Sequence, residues 1–451
     1  MASTPSPLDR LPTSVQVVSL GVTLVLVMGV TWGTMSFAAP TFEGGQLTIL
    51  TGFVLLAATL GGGLASAAGL PRLTGFLLVG ILAGPSILGI LPASAMEELH
   101  LIDDFALALI ALLAGGELKV GAMRAQARPI LWITLAVTVM VWVGMGAVVV
   151  ALRPLIPFLA EAAWPVTFGV AALLGVWMAN SSPDLTVAVI EETGAKGEFT
   201  DVVLGVTIVK DVLVIVLFTL TLGLVAPLLQ PDESFSAHVF VELAQHVGGA
   251  AVVGALLGWV FSRYLGDEED KPRPAFATFL FAYVLVVISA RLHLELLLTA
   301  VAAGFVIENL SPAGDRMIRG IESVSVIIFA FFFAIAGADL DLSAIPRFWL
   351  AALLLFAGRV LFTWLGTRFG ARQGDASPAI RTNGWKGLVS QGGVSLLLVL
   401  SIQESFPSLG DGVVSLAMAI IIVNILGGPI LLKQALGQVE SEEAASATDG
   451  S

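Results

Sequence analysis

The chain has 451 residues, of which 57% are hydrophobic and only 12% are charged, and its mean hydropathy is +0.96. This composition excludes an ordinary soluble domain and indicates an all-α polytopic membrane protein. The net charge of -13 argues against nucleic acid as a partner, and the absence of cysteine excludes disulfides and thiolate metal sites. The four histidines have no metal-ligand spacing, so we expect no cofactor.

Apolar runs separated by short polar, Pro or Gly breaks predict about fourteen transmembrane helices. The first run, 11–42, contains no charged residue and is longer than the core of a signal peptide, so we expect it to be retained. The predicted helices are 14–37, 46–69, 73–92, 101–118, 129–152, 164–194, 200–228, 236–264, 275–291, 294–309, 316–340, 347–370, 382–403 and 412–436.

The positions of the basic residues agree with this number of helices. If the N-terminus is cytoplasmic, 16 of the 21 Lys and Arg residues lie at the cytoplasmic face, and only Arg153, Arg291 and Arg347 lie outside. The remaining two lie within predicted helices. This asymmetry follows the positive-inside rule and predicts a multi-pass protein of the cell (inner) membrane, with both tails, 1–13 and 437–451, in the cytoplasm.

A weak internal repeat relates helices that are seven positions apart. Leu112–Leu118 ends helix 4 and Ala334–Leu340 ends helix 11, each with small residues before an acidic residue and Leu. Helix 6, with a polar break at 180–184, corresponds to helix 13, with a break near 390–393. Because seven is odd, the second copy is inverted. Two inverted seven-helix repeats with discontinuous crossed helices predict a transport site near the membrane midplane.

Asp211 is the leading candidate for that site. It lies close to the centre of helix 7, where a charged side chain costs several kcal/mol and therefore indicates function. A carboxylate beside broken helices can exchange a proton for a cation, which makes transported Na+ or K+ its expected ligand. The alternative is a structural ion pair with Lys210 or Arg359.

The break in helix 6 supplies further candidates. Asn180, Ser181 and Ser182 offer hydrogen-bonding groups, and the free backbone carbonyls of the break can hold a dehydrated cation. Asp184 either caps the second half-helix or contacts the substrate, and both remain open. Thr207 lies one turn before Asp211, although a bond to its own helix backbone explains it equally simply.

Two basic side chains lie at the same depth. Arg359 is always charged, so we expect it to have an acidic partner at the midplane, and Asp211 and Asp184 are the acids placed there. Lys210 either lines the cavity beside Asp211 or extends its ammonium towards an aqueous funnel.

The break in helix 13 consists of Ser390, Gln391, Gly392 and Gly393. These residues can open the helix backbone opposite the first break. Small residues also permit two helices simply to cross, which requires no substrate.

Several motifs resemble the monovalent cation:proton antiporters, in the branch of sodium/proton and potassium/proton exchangers. The first is Arg72-Leu-Thr-Gly-Phe-Leu-Leu-Val-Gly-Ile-Leu-Ala-Gly-Pro-Ser-Ile-Leu-Gly. The similarity continues, in the same order and spacing, through Leu107–Leu118, Ser181–Glu192, Val209–Leu217, Phe331–Leu342 and Ser390–Leu398.

The resemblance implies a homodimer in the lipid bilayer whose transporter domain covers 14–436. It implies a scaffold (about 14–118 and 275–340), a mobile core (about 129–228 and 347–436) and a connector helix (about 236–264), with elevator-like alternating access. It assigns the essential ion and proton carrier to Asp211. It also places Arg359 where many members have a Lys that pairs with the helix 7 carboxylates.

Two residues depart from the family pattern. Lys210 stands where members usually have Asp, Asn or Gln, and Val394 stands where many have Glu. The expected function is exchange of Na+ or K+ for H+, not enzymatic catalysis. Two alternatives remain: a proton-coupled transporter of a small anion or organic solute that uses Lys210 and Arg359, and a non-transporting sensor.

Overall fold

The fold was analysed in a computed structural model that describes residues 13–37, 45–229, 247–265, 274–311, 314–322, 324–340, 342, 345–406, 409 and 412–449. Within these ranges every regular element is a helix, which confirms the all-α prediction. Each of the fourteen predicted segments overlaps a helix, although residues 236–246 of the eighth lie outside the described residues. The third, predicted as 73–92, is helical only to Ala83, and the fourth, predicted to begin at 101, begins at Ala93.

The first ten α-helices are α1 Thr13–Phe37, α2 Gly45–Ala67, α3 Arg72–Ala83, α4 Ala93–Glu117, α5 Val120–Ala125, α6 Ala127–Ala151, α7 Pro157–Ala160, α8 Trp164–Met178, α9 Pro183–Thr193 and α10 Glu198–Leu229. The remaining nine are α11 Gly249–Leu265, α12 Pro274–Leu292, α13 Leu296–Leu310, α14 Gly314–Glu322, α15 Ser325–Ala338, α16 Ile345–Gln373, α17 Pro378–Asn383, α18 Gly393–Ser405 and α19 Gly412–Asp449. Two short 3-10 helices add Arg153–Leu155 and Gly384–Leu388.

Six stretches in the described part of the chain are long and apolar enough to cross a membrane, or seven if α14 and α15 form one span. They are Leu47–Ala67, Ala127–Ala151, Trp164–Thr193, Glu198–Leu229, Ile345–Gln373 and Gly412–Ser441. Other apolar helices, such as α3 and α13, are shorter. The chain is therefore a multi-pass membrane protein, while a total of fourteen spans and the inverted repeat remain predictions.

The described residues group into two compact units, the first drawn from Met1–Leu107 and Ser323–Leu340. In this unit α3 packs against α2 and α15. Gly80 faces the backbone of Ala334, and Gly337 faces the backbone of Leu77, so closely that a Cβ atom would collide with a carbonyl group. Small residues thus allow α3 and α15 to pack backbone against backbone, as membrane helices commonly do.

The second unit, drawn from Ala108–Glu322 and Asp341–Ser451, contains the two broken helices. Here α16 packs along α6, and glycines four residues apart, at 366, 370 and 374, face the α6 backbone. The broken span α8–α9 is the most deeply buried of these helices. All residues of its apolar stretch are buried, compared with 28% of the residues in that of α10 and 33% in that of α16. The predicted boundaries of scaffold, core and connector are not tested by these observations.

Candidate ion-binding site

The first polar break separates α8 from α9, as predicted. Helix α8 ends at Met178, and α9 begins at Pro183, a residue suited to the first helical turn because it has no backbone N–H to leave unpaired. Ser182 is the N-cap, and its Oγ accepts a hydrogen bond from the backbone N–H of Leu185 at 3.3 Å. The cap is therefore Ser182, whereas Asp184 lies in the first turn of α9 and accepts a hydrogen bond from the Ser182 hydroxyl.

The second break lies between the 3-10 turn Gly384–Leu388 and α18. It meets the first break through several hydrogen bonds, so the predicted crossing of two discontinuous helices is present. The backbone N–H of Ser182 donates to the Ser390 carbonyl at 3.0 Å, and the Ser181 hydroxyl donates to the Leu388 carbonyl at 2.7 Å. Gly392 approaches the Ser182 hydroxyl so closely that a Cβ atom would not fit.

A side chain from the last turn of α8 and one from the first break also reach α18. The indole Nε1 of Trp177 donates to the Ser395 carbonyl at 2.7 Å, and the Asn180 amide donates to the Ser395 hydroxyl at 3.1 Å. All three residues are buried. Gly393 begins α18, so it opens the second half-helix just after the crossing.

Arg359, from α16, occupies the centre of this crossing and is only 1% exposed. Its guanidinium donates to the carbonyls of Met178 at 2.7 Å and Asn180 at 2.5 Å, and also to the carbonyl of Val389. The side-chain oxygen of Asn424 in α19 accepts a further hydrogen bond at 2.6 Å. Arg359 therefore joins both breaks and a third helix.

The expectation of an acidic partner for Arg359 is wrong within the described part of the chain. The physical reason is the broken geometry itself. The last carbonyls of a half-helix have no intrahelical partner and carry partial negative charge. A guanidinium has five N–H donors in a planar fork, so it can bind several such carbonyls at once. Backbone oxygens and one amide here replace the carboxylate that we expected.

Lys210 and Asp211 are adjacent in α10, and both are buried, at 1% and 3% exposure. The Lys210 ammonium donates to the Ser181 hydroxyl, which excludes an extended side chain that reaches an aqueous funnel. Asp211 Oδ1 has no hydrogen-bond partner among the described residues. None of the ion pairs among the described residues joins Asp211 to Lys210 or to Arg359, so the alternative of a structural ion pair is not formed here.

Two further candidates, Thr207 and Gln391, donate hydrogen bonds to backbone carbonyls. The Thr207 hydroxyl donates to the Val203 carbonyl at 2.8 Å, the backbone bond that we considered as its simpler role. In the second break, the amide nitrogen of Gln391 donates to the Trp177 carbonyl at 3.4 Å. Gln391 Oε1 and Ser390 Oγ are buried and have no partner in the described ranges. Together with Asp211 Oδ1, they are buried oxygens that remain available to bind a cation, and the Asp211 carboxylate can also accept a proton.

The family model described as sodium/hydrogen exchanger, transmembrane, matches residues 53–436, which is most of the chain. The chain belongs to the sodium/hydrogen exchanger family. Its members are transporters, so this exchanger is not an enzyme.

Individual relatives agree with this assignment. The exchanger is 29% identical over 308 residues to the Na(+)/H(+) antiporter NhaP of Pseudomonas aeruginosa, covering 62% of this chain and 70% of that protein. It is 22% identical over 388 residues to the Na(+)/H(+)-K(+) antiporter GerN of Bacillus cereus, covering 84% of this chain and 93% of that protein.

The fold is that of a solved antiporter. The structure of the sodium proton antiporter MjNhaP1 from Methanocaldococcus jannaschii at pH 8 matches with a TM-score of 0.63 at 17% identity, covering 87% of this chain and 97% of that chain. An electron-microscopy map of the same antiporter matches with a TM-score of 0.68 at 16% identity, covering 89% and 98%.

One polar residue of the helix crossing, Asn424, was not among the sequence candidates. Asn424 interrupts a strongly apolar stretch of α19, and this isolated amide is the signal that could have identified it.

Proposed function

We propose that this exchanger moves a monovalent cation, Na+ or K+, against H+, with Asp211 as the carboxylate that binds the two in turn. One observation carries the proposal: Asp211 is buried in a membrane-spanning helix, and its Oδ1 has no hydrogen-bond partner in the described structure. A carboxylate oxygen that is buried without a donor is poorly stabilised as a free anion, so a proton or a cation stabilises it strongly. The relatives named as Na+/H+ and Na+/H+-K+ antiporters support the same exchange.

The proposed site includes Asp211 and the polar groups of the crossing. The carbonyls of Met178, Asn180 and Val389 face the guanidinium of Arg359, whose positive charge opposes a second cation there, so we assign the cation to side-chain oxygens. We assign Asp184, Ser181, Ser182, Asn180 and Thr207 to the surroundings of the ion, and Ser390 to Gly393 to the opposite wall. Lys210 and Arg359 compensate charge when the site is empty.

The proposed movement is elevator-like. The two breaks are joined to each other and to Arg359 by hydrogen bonds, so they are suited to move as one body that carries the ion. We place this moving core in about 129–228 and 347–436, against a scaffold in about 14–118 and 275–340, in a homodimer. We also place the exchanger in the cell (inner) membrane, with both termini in the cytoplasm.

Asp211→Asn tests the proposal, because an amide keeps the side-chain shape but removes the charge that binds either ion. We expect loss of Na+- and K+-dependent proton flux in proteoliposomes carrying a pH-sensitive dye, with an unchanged elution volume in size-exclusion chromatography. Asp375→Asn is the matched control, since Asp375 is an exposed partner of Arg128 at 2.5 Å. Exchange at the wild-type rate in the Asp211 variant would refute the proposal.

Lys210 distinguishes cation exchange from transport of a small anion or organic solute. The donors of Arg359 are engaged by the crossing, so Lys210 would have to supply the positive charge for an anion. In a cation exchanger, by contrast, the Lys210 ammonium competes with the bound cation.

Lys210→Gln therefore has opposite expected outcomes. Under the proposed function, the apparent KM for Na+ or K+ falls and exchange persists; under the anion alternative, transport is lost. A non-transporting sensor would show no proton flux with any gradient in the wild-type chain. Flux measured across Na+, K+, Li+ and chloride gradients separates the three functions.

A further inference from the structure

An open groove of about 420 Å³ lies in the second unit, between α5, α6, α10 and α13. Apolar side chains line it, among them those of Met123, Leu131, Val209 and Phe305. In the described part of the chain, Arg124 of α5 is the one charged residue in this lining. The groove is thus an apolar surface that contains a single guanidinium.

Hydrogen bonds hold the short helix α5 beside the groove. The side-chain oxygen of Asn309, near the end of α13, accepts a hydrogen bond from the backbone N–H of Val120 at 2.7 Å. The amide nitrogen of Asn309 donates to the Leu118 carbonyl at 2.8 Å. Helix α5 also packs against α6 and α10. The wall that carries Arg124 is therefore held in place by the fold.

The groove opens on a face that contacts lipid. Leu131 lies in the apolar spanning stretch of α6, and Leu135 and Val139 follow it at spacings of four residues. All three side chains are exposed. Residues four positions apart share one face of a helix, so this side of α6 is a continuous apolar stripe. In a membrane protein such a stripe faces the bilayer, which makes a lipid the expected occupant of the groove.

The charged and apolar parts of the groove lie at different depths. Arg124 precedes the spanning stretch of α6, so it lies at the end of that helix. Gly205 faces the side chain of Ile130, so α6 and α10 begin on the same side. Val209 lies about 16 Å along the helix axis from the start of α10. A polar headgroup next to Arg124 and an acyl chain deeper in the groove match this arrangement.

The guanidinium of Arg124 is available for a headgroup. Arg124 is exposed and has no hydrogen bond or ion pair with any described residue. Its basic neighbours are paired: the Lys119 ammonium lies 3.4 Å from the Glu308 carboxylate, and the Arg128 guanidinium lies 2.5 Å from the Asp375 carboxylate. A basic side chain near the bilayer surface attracts anionic lipids, and the planar fork of arginine matches a phosphate.

We propose that this groove binds an anionic phospholipid, with the phosphate on Arg124 and one acyl chain along the apolar wall. The net charge of the chain is -13, so its overall field repels anionic lipids, and selective binding requires a local cation of this kind. Lipid binding goes beyond the proposed exchange of a cation for H+ and can be measured without it.

The test compares the loss of charge at Arg124 with the same loss one helical turn away. Arg124→Gln removes the cation of the groove, whereas Arg128→Gln removes an exposed and already paired cation outside the lining. The full chain, purified in detergent, is titrated with phosphatidylglycerol or with phosphatidylcholine of identical acyl chains. Native mass spectrometry then counts the lipids bound to each chain.

We expect the wild-type chain to bind phosphatidylglycerol more tightly than phosphatidylcholine. Arg124→Gln should weaken phosphatidylglycerol binding about fivefold, the effect of one basic residue at an anionic headgroup, and leave phosphatidylcholine binding unchanged. Arg128→Gln should bind both lipids as the wild type does. Equal wild-type affinities for the two lipids, or equal phosphatidylglycerol binding by the two Gln variants, would overturn the proposal.

A second pair of variants tests the apolar wall. Ala127 lines the groove and is exposed, whereas Ala125 is exposed but not part of the lining. Ala127→Trp should therefore fill the groove and lower phosphatidylglycerol binding, while Ala125→Trp should not. Both substitutions are at exposed positions, so both variants should keep the wild-type melting temperature.

Two further outcomes would assign the groove to a different occupant. Displacement of phosphatidylglycerol by inorganic phosphate would indicate a simple anion site and refute lipid binding. If Ala127→Trp instead separated a dimer and left lipid binding unchanged, a second copy of the chain would cover the groove.

Discussion

Two buried basic residues, Arg359 and Lys210, lie in the same unit of the exchanger, and their surroundings differ. Arg359 donates to three backbone carbonyls and to Asn424, so its hydrogen-bonding capacity is used almost completely. Lys210 donates to one hydroxyl group, that of Ser181, and no other partner of its ammonium is found among the described residues. A guanidinium with four hydrogen-bond acceptors is held in one position by the fold, whereas an ammonium with one neutral acceptor is held less firmly.

This difference is consistent with the chemistry of the two side chains. The guanidinium is planar, permanently charged and forked, which suits a fixed position among several carbonyls. The ammonium is a compact charge on a flexible stem of four carbons. The exchanger thus has one basic side chain with four acceptors at its helix crossing and another with a single acceptor next to Asp211 in sequence, and each can be altered separately.

Replacement of Arg359 should have the largest effect. Arg359→Met leaves three carbonyls and the Asn424 oxygen without their buried donor, which we expect to cost more than about 3 kcal/mol. Thermal melting followed by fluorescence-detected size-exclusion chromatography should show a large loss of folded protein. Arg368→Met is the matched control on the same helix, because Arg368 is exposed and stacks on Trp364 at 5.5 Å. Equal melting temperatures of the two variants would show that the hydrogen bonds of Arg359 do not stabilise the fold.

Replacement of Asn424 should have an intermediate effect. Asn424→Leu removes one acceptor of Arg359 and leaves a buried N–H group unpaired, at a cost of about 1–3 kcal/mol. Asn424→Asp retains an oxygen in a similar position, so its melting temperature should be higher than that of the Leu variant. A Leu variant as stable as the Asp variant would indicate that the contact at 2.6 Å contributes little.

Replacement of Lys210 should have the smallest effect on stability. Lys210→Met removes a buried charge that has one neutral partner, and such replacements are often neutral or stabilising. The Ser181 hydroxyl keeps its bond to the Leu388 carbonyl, so no buried donor is stranded. We expect the free energy of unfolding to stay within about 1 kcal/mol of wild type or to rise. Destabilisation comparable with that of Arg359→Met would contradict the distinction between the two residues.

The sequence identifies the helices and the level of the site because these depend on local chemistry. Apolar runs longer than the bilayer core form helices, and the Asn-Ser-Ser-Pro break interrupts one of them whatever the tertiary contacts are. The buried charges Lys210, Asp211 and Arg359 are found in the same way, since their rarity in apolar segments makes them visible.

The partners of these charges depend on the crossing and could not be predicted. The sequence favoured an acid for Arg359 because charge balance is evident from composition, whereas the direction of free carbonyls is not. Asn424 is 65 residues from Arg359 along the chain, and the two meet only because α16 and α19 pack together. Ser182 rather than Asp184 is the N-cap of α9 because the helix begins at Pro183, so Ser182 is the extended residue before the helix and Asp184 lies inside its first turn.

The bonds of Arg359 also have a consequence for the synthesis of the protein. The carbonyls of Met178 and Asn180 are made before Arg359, but Val389 and Asn424 follow it by 30 and 65 residues. When α16 first enters the bilayer, its guanidinium can therefore find only part of its final environment. We therefore expect stable integration of this helix to follow the arrival of α19, so that later segments complete an insertion that earlier ones begin.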